Sequence, residues 1–205
     1  MLLLKTVNLG KNQVAMVAQL IAHIEKQVTL SAEDKAFMEE LLAPTLLNKK
    51  QFLFKAGEPC RARYFVLEGC LRLYITNSKG TDQMIQFGIN NWWITDYMSF
   101  KSKKPSVFNL QAVTNATIIA INEAQQEELL TKIPQLERYF RLVLETAYGA
   151  SLMRFNYIFN MSGEERYRFF SNLFPDFVQL VPQYLIASYL GVTPEFLSKV
   201  RAKKV

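Results

Sequence analysis

The side chains with the clearest chemistry stand near the C-terminal end: Thr193, Glu195, Phe196, Ser198, Lys199 and Arg201, then Lys203 and Lys204. A carboxylate, a hydroxyl and an ammonium on one short helix can meet the edges of DNA bases. Glu195 can accept from a cytosine amino group, Lys199 can donate to guanine or a phosphate, and Phe196 can touch a thymine methyl. Arg201, Lys203 and Lys204 suit phosphates, with a frayed, solvated terminus as the other reading for these three. The preceding residues supply a way of presenting that helix. Leu185, Ile186 and Leu190 form one apolar stripe, and Leu197 and Val200 a second at i, i+3. Ala187 is small where two helices must cross, Gly191 can take the positive φ that ends a helix, and Thr193-Pro194 gives an N-cap and a first-turn proline. The spacing predicts a helix-turn-helix whose second helix enters the major groove. An αα-hairpin inside an ordinary helical core is the alternative.

Other chemistries find little material. The chain has one histidine, His23, on a polar-flanked segment, and two cysteines, Cys60 and Cys70. That is too few thiolates for an iron–sulfur cluster and too few histidines for a metal-dependent cupin. No Ser/His/Asp arrangement, P-loop or glycine-rich dinucleotide motif is present. The expectation is a protein that is not an enzyme and carries no cofactor or metal. The 205 residues, half of them hydrophobic and 20% charged, suit one large domain or two modest ones. A net charge of +6 fits an anionic partner without choosing among nucleic acid, membrane and nucleotide. Four basic residues and no acid lie in 199–205; Lys101, Lys103 and Lys104 form a second, mid-chain cluster that reads as solvated. The N-terminus lacks a signal-peptide pattern, and no apolar stretch is long enough for a membrane span, so the cytoplasm is expected.

Three kinds of periodicity order the chain. Residues 13–28 read as a helix with Val14, Val17, Ala18, Ile21, Ile24 and Val28 on one side, and Ser31 caps a second helix carrying Phe37, Leu41 and Leu42. From Phe52 to Ile121 short apolar runs alternate with turns: Tyr64–Leu67, Leu71–Ile75 beside the Asn77–Gly80 loop, Met84–Phe87, Leu110–Val113 and Thr117–Ile121. That spacing predicts a jelly roll or related barrel. Leu136, Phe140, Val143, Ala147, Ala150, Arg154, Tyr157 and Met161 then follow 4, 3, 4, 3 spacing. This is an a/d seam, covered either by a second copy or by the chain's own barrel. Arg154 must lie at the seam's edge or be paired. Ser162–Glu165 breaks and recaps the chain, and a helix through Tyr167, Phe170 and Leu173 runs to Pro175.

In that order, with Phe54-x2-Gly57-Glu58, Tyr64-Phe65-Val66-x2-Gly69-x-Leu71-Arg72 and the terminal motif, residues 20–205 resemble the Crp/Fnr family of bacterial transcription regulators. The aromatic-rich Trp92–Phe100 segment looks like a branch whose members often lack an identified ligand. The resemblance implies an effector-sensing β-roll, a dimerising helix and a helix-turn-helix that reads a palindrome, with Glu195 and Lys199 at the main base-reading positions. Nucleotide-binding members place Gly-Glu on the ribose and Arg-Ser on the cyclic phosphate. Here Thr95-Asp96 occupies the first position, and Pro105-Ser106 or Ser106-Val107 the second, without the arginine. Lys103 or Lys104 is a partial substitute, and Trp92 and Trp93 either stack on a ligand or fill the roll.

The expected architecture is α+β: N-terminal helices with a jelly-roll sensor domain over 1–135, a dimerisation helix over 136–161, and a helical helix-turn-helix domain over 162–205 lacking a full wing. Leu136, Phe140, Val143, Ala147, Ala150 and Tyr157 are the expected dimer contacts. Trp92, Trp93, Thr95, Asp96 and Ser106 are expected to form a degenerate pocket that does not bind cyclic AMP well. The expected partners are double-stranded DNA, a second copy, an unidentified small-molecule effector and RNA polymerase, with no membrane. The alternatives are a ligand-binding module whose shortened helix-turn-helix no longer binds DNA, and a dimeric scaffold with neither ligand.

Overall fold

A computed structural model describes residues 11–202, which fall into two compact units: the residues up to Ile75 with Gln86–Leu144, and Thr76–Ile85 with Glu145 onward. The expectation for Lys203 lies outside the described residues.

Unit 1 opens with α1 (Lys11–Glu25) and α2 (Ala32–Leu41). Ser31 and Asp34 exchange side-chain and backbone bonds in a capping box that fixes the start of α2. Eight strands follow: β1 (Pro44–Leu47), β2 (Phe52–Phe54), β3 (Ala62–Glu68), β4 (Leu71–Thr76), β5 (Asp82–Gly88), β6 (Trp93–Ile94), β7 (Asn109–Ala112) and β8 (Ala116–Asn122). The short α3 (Tyr97–Ser102) interrupts them, and α4 (Glu123–Lys132) and α5 (Leu136–Asn160) close the series. The strands form two sheets of order β1-β8-β3-β6 and β2-β7-β4-β5. β3, paired with β8 and β6, is buried on both faces because each face meets apolar partners. Gly69 makes the β3–β4 turn possible: its φ is +93°, and a Cβ there would stand 2.4 Å from the Asn115 carbonyl oxygen.

The helices cover one face of the first sheet. Val17, Leu20, Ile21 and Ile24 of α1 pack with Met38, Leu42, Phe65, Leu67, Ile119, Ile121, Leu129, Leu136 and Tyr139 in one cluster. Each fully buried Leu, Ile or Phe contributes about 1.5–3 kcal/mol of transfer free energy, which holds the sheet face against its helices. The buried stripe of α1 is rotated from the expected one: Val14 and Ala18 are exposed, and Leu20 is fully covered.

Unit 2 combines the β4–β5 hairpin tip and the C-terminal part of α5 with α6 (Gly163–Leu173), α7 (Pro175–Leu180), α8 (Gln183–Leu190) and α9 (Pro194–Ala202). Its core is Phe177, Val178, Val181, Leu185, Ile186, Ala187, Leu190, Leu197 and Val200. Phe170 sits within ring-contact distance of Phe174, Phe177 and Tyr189. Helix α7 was not foreseen: Pro175 does not end the helical region but starts this extra helix at its first position.

Candidate nucleic-acid interface

Residues 183–202 form two helices around a tight turn. Gly191 adopts the left-handed conformation (φ 69°, ψ 36°), its N–H bonds the Ala187 and Ser188 carbonyls, and the Val192 N–H bonds the Ala187 carbonyl. The Thr193 hydroxyl accepts the Phe196 N–H at 3.1 Å, so Thr193 is the N-cap of α9. Ala187 is fully buried, which lets α8 and α9 approach closely, and Leu197 and Val200 seat α9 on the core. Glu195, Ser198, Lys199 and Arg201 are therefore left exposed together. Phe196 is different. Its ring lies against Gly163 at the start of α6, where a Cβ would come within 2.7 Å of it, and the side chain is 39% exposed. Phe196 thus steadies α9 against α6 as well as offering an edge outward.

The start of α6 is strongly capped. Ser162 and Glu165 form a capping box, and those bonds hold the Glu165 carboxyl below its usual range. Glu164 pairs with Arg168 along α6 at 2.9 Å.

The apolar residues of α5 divide between two faces. Leu136 and Phe140 are buried in the core of unit 1, and Val143 is packed against it. The chain itself covers these positions, which leaves them little surface for a second copy. Ala147 is half-buried and Ala150 exposed; Tyr157 stacks on Phe169 at 4.6 Å. A different stripe is open: Leu144, Tyr148, Leu152, Phe155 and Phe159 are all exposed. Their spacing of 4, 4, 3 and 4 places them on one side of the helix.

Arg154 is the residue of α5 whose environment the sequence least prepared for. Its guanidinium bonds the Met84 and Ile85 carbonyls of β5 and the Tyr189 carbonyl of α8, and stacks on the Tyr189 ring at 4.1 Å. Ser188 accepts the Met84 N–H and donates to the Asp82 carbonyl. β5 is an edge strand, so these two side chains satisfy backbone groups that would otherwise face water. The apolar seam hid this arrangement because no partner of Arg154 or Ser188 is near it in sequence.

The five expected pocket residues do not form one pocket. Trp93 is buried on the helix-facing side of the sheet, its Nε1–H donating to the Tyr139 hydroxyl at 2.7 Å and its ring against Phe65 and Phe140. Trp92 lies partly exposed on the preceding turn. Thr95, Asp96 and Ser106 do come together, and all are buried. Asp96 is the N-cap of α3: Oδ1 accepts the Met98 and Ser99 N–H groups, and Oδ2 accepts the Ser106 hydroxyl at 2.7 Å. Ser106 also accepts the Phe108 N–H, and Thr95 donates to the Ala62 carbonyl. Lys103 is engaged with Glu123 at 2.9 Å.

Residues 45–132 match the family model of the cyclic nucleotide-binding domain. The structure is similar to that of CLP, the c-di-GMP responsive global regulator of Xanthomonas campestris: TM-score 0.67 at 12% identity, covering 84% of this chain and 91% of that one. FixK2 from Bradyrhizobium japonicum gives 0.66 at 15%, over 79% and 83%. The catabolite activator protein of Thermus thermophilus gives 0.52 at 18%, over 88% and 85%. No curated protein matches the chain at a significant level. The fold is Crp/Fnr-like. Within this Crp/Fnr-like fold, the two positions that the resemblance assigns to ribose and phosphate are Asp96 and Ser106, and they are bonded to each other. Among the described residues, no helix is long and apolar enough to cross a membrane, and no cluster of three or more His, Cys, Asp or Glu could hold a metal ion.

Proposed function

We propose that the chain is a homodimeric, cytoplasmic, non-enzymatic transcription regulator that reads a palindromic DNA site through α9. One observation carries this reading: a Thr193-capped helix, locked at its N-terminal end by the Gly191 turn, with Glu195, Ser198 and Lys199 exposed on the side opposite Leu197 and Val200. Lys199 and Glu195 would meet base edges, and Arg201, with Lys203 of the sequence, phosphates. The open stripe Leu144, Tyr148, Leu152, Phe155 and Phe159 supports dimerisation through α5, on a face turned away from Leu136 and Phe140. Residues 45–132 would respond to something other than cyclic AMP. Both Asp96 oxygens are committed, Ser106 is bonded to one of them, and no arginine accompanies Ser106. A missing charge-assisted partner to a buried phosphate costs about 1.5–3 kcal/mol. RNA polymerase and a small-molecule effector complete the proposed partners.

Selection of bound fragments from random duplex DNA, followed by titration at several salt concentrations, tests the reading. A recovered palindrome bound with sequence preference and a linear salt dependence is the expected result. Calorimetry should show no cyclic AMP binding at micromolar concentration; low-micromolar affinity refutes that part.

A second reading, a ligand-binding module without DNA affinity, has one observation in its favour. The sequence of unit 2 carries only a small basic excess: Lys79, Arg154, Arg166, Arg168, Lys199, Arg201, Lys203 and Lys204 stand against Asp82, Glu145, Glu164, Glu165, Asp176 and Glu195, a net of +2 out of the chain's +6. Failure of the selection to enrich any sequence would favour it.

A further inference from the structure

We infer that Arg63 anchors an oxyanion site on unit 1, where β3, α3 and α5 meet, for a small ligand bearing a phosphate or carboxylate group. Arg63 shares the helix-facing side of β3 with Phe65, two residues on. Its guanidinium carbon lies 4.9 Å from the centroid of Phe140, 5.4 Å from Tyr97 and 5.5 Å from Phe100. Three rings on two helices thus fix the head of a side chain that is costly to immobilise. The cage holds the cation without offering it an oxygen in its plane. Nε is buried with no hydrogen-bond partner, and Glu137 acts on the charge only through space. Burial, the largest influence on this group, works against its charged form. An arginine nevertheless stays protonated in proteins.

A desolvated cation without a bonded counter-ion is unfavourable, and stacking recovers only part of that cost. Arg63 is only half-buried, so the outer edge of its fork remains within reach of solvent. That edge presents parallel N–H donors in the geometry that fits two oxygens of a carboxylate or phosphate. The site is separate from Thr95, Asp96 and Ser106: Ser106 bonds Asp96, and Thr95 bonds the Ala62 carbonyl and contacts the Cys60 thiol. It needs neither DNA binding nor a cyclic nucleotide.

The competing explanation is that Arg63 only cements three aromatic rings, and NMR of the full chain separates the two. Inorganic phosphate and, in a second arm, acetate are titrated at constant ionic strength against chloride while the Arg63 Nε–H resonance is followed. A saturable shift is expected, with one anion preferred; stronger binding of phosphate assigns a phosphate ligand, and of acetate a carboxylate. Arg63→Lys should weaken binding at least tenfold by replacing a fork with a point charge. Glu137→Gln, which removes the carboxylate that competes for the cation, should strengthen it roughly two- to fivefold. No saturable shift beyond the chloride reference overturns the proposal, as does equal binding by Arg63→Lys. If Arg63→Lys does not fold, unchanged affinity in Glu137→Gln is decisive against it.

Discussion

His23 shows how one titratable group can tie a buried network to pH. The Tyr139 hydroxyl accepts from Trp93 at 2.7 Å and lies 2.9 Å from His23 Nδ1. A neutral imidazole protonated at Nε2 can accept the Tyr139 hydroxyl hydrogen at Nδ1, whereas an imidazolium must donate there to a hydroxyl that already accepts from Trp93. Burial first, and Lys26 second, lower the His23 pKa below its ordinary 6.5. The folded state therefore prefers the unprotonated form. The stabilisation is complete above the unfolded pKa and is lost as pH falls below it, because the unfolded chain then binds the proton more readily. Urea unfolding at pH 7.5 and 5.0 should show a decline that flattens in His23→Gln, with the bond itself worth about 0.5–1.5 kcal/mol. An identical pH slope in the variant refutes the assignment. Arg154 is predicted to matter more. Arg154→Met leaves the Met84, Ile85 and Tyr189 carbonyls without their charged donor, while relieving the burial of a guanidinium whose Nε has no partner. The balance should be a loss of about 1.5–3 kcal/mol in the unfolding of unit 2, followed by near-ultraviolet circular dichroism.

At the scale of elements, α5 carries two apolar stripes about one third of a turn apart, and only packing decides which is free. Leu152→Glu with Phe155→Glu would place two charges on the open stripe, with no interior contact of unit 1 disturbed. If the chain dimerises through this stripe, analytical ultracentrifugation should then show monomer in place of a parent dimer, with circular dichroism unchanged; a persistent dimer removes this face from the interface. The same helix shows the limits of reading periodicity. A heptad count finds Leu136, Phe140 and Val143 readily, but nothing in the sequence says that α1 and the first sheet already cover them. Local devices were legible because their partners lie within a few residues: the Ser31 and Ser162 caps, the Gly191 turn, Thr193 before Pro194, and the alternation of Leu71 and Leu73 with Arg72. Features that depend on distant partners were not legible. Trp93 meets Tyr139 across 46 residues, Arg154 meets Met84 across 70, and Arg63 draws its cage from α3 and α5. The pocket positions fall between these cases: adjacency placed Thr95 and Asp96, but the direct Asp96–Ser106 bond is a product of the fold.

At the scale of the whole molecule, the proposed reading assigns specificity and affinity to different residues. The +6 of the full sequence is not concentrated on unit 2, whose sequence carries eight bases against six acids, a net of +2. Attraction to DNA should therefore come from the few cations that meet phosphates, and its salt dependence should count them. If Arg201, Lys203 and Lys204 each meet one phosphate in both copies of a dimer, six contacts give a slope of log affinity against log salt near −5. Lys199 tests the division of labour, since it stands on the exposed side of α9 one turn beyond Glu195. If it reads a base, Lys199→Ala should lower affinity for the selected palindrome by about 1–3 kcal/mol, leave the salt slope nearly unchanged and relax preference at one base pair in each half-site. If it meets a phosphate instead, affinity falls alike for all sequences and the slope shrinks by about 2 across the dimer. Unchanged binding at moderate salt would remove Lys199 from the interface, and with it the base-reading role of that face of α9.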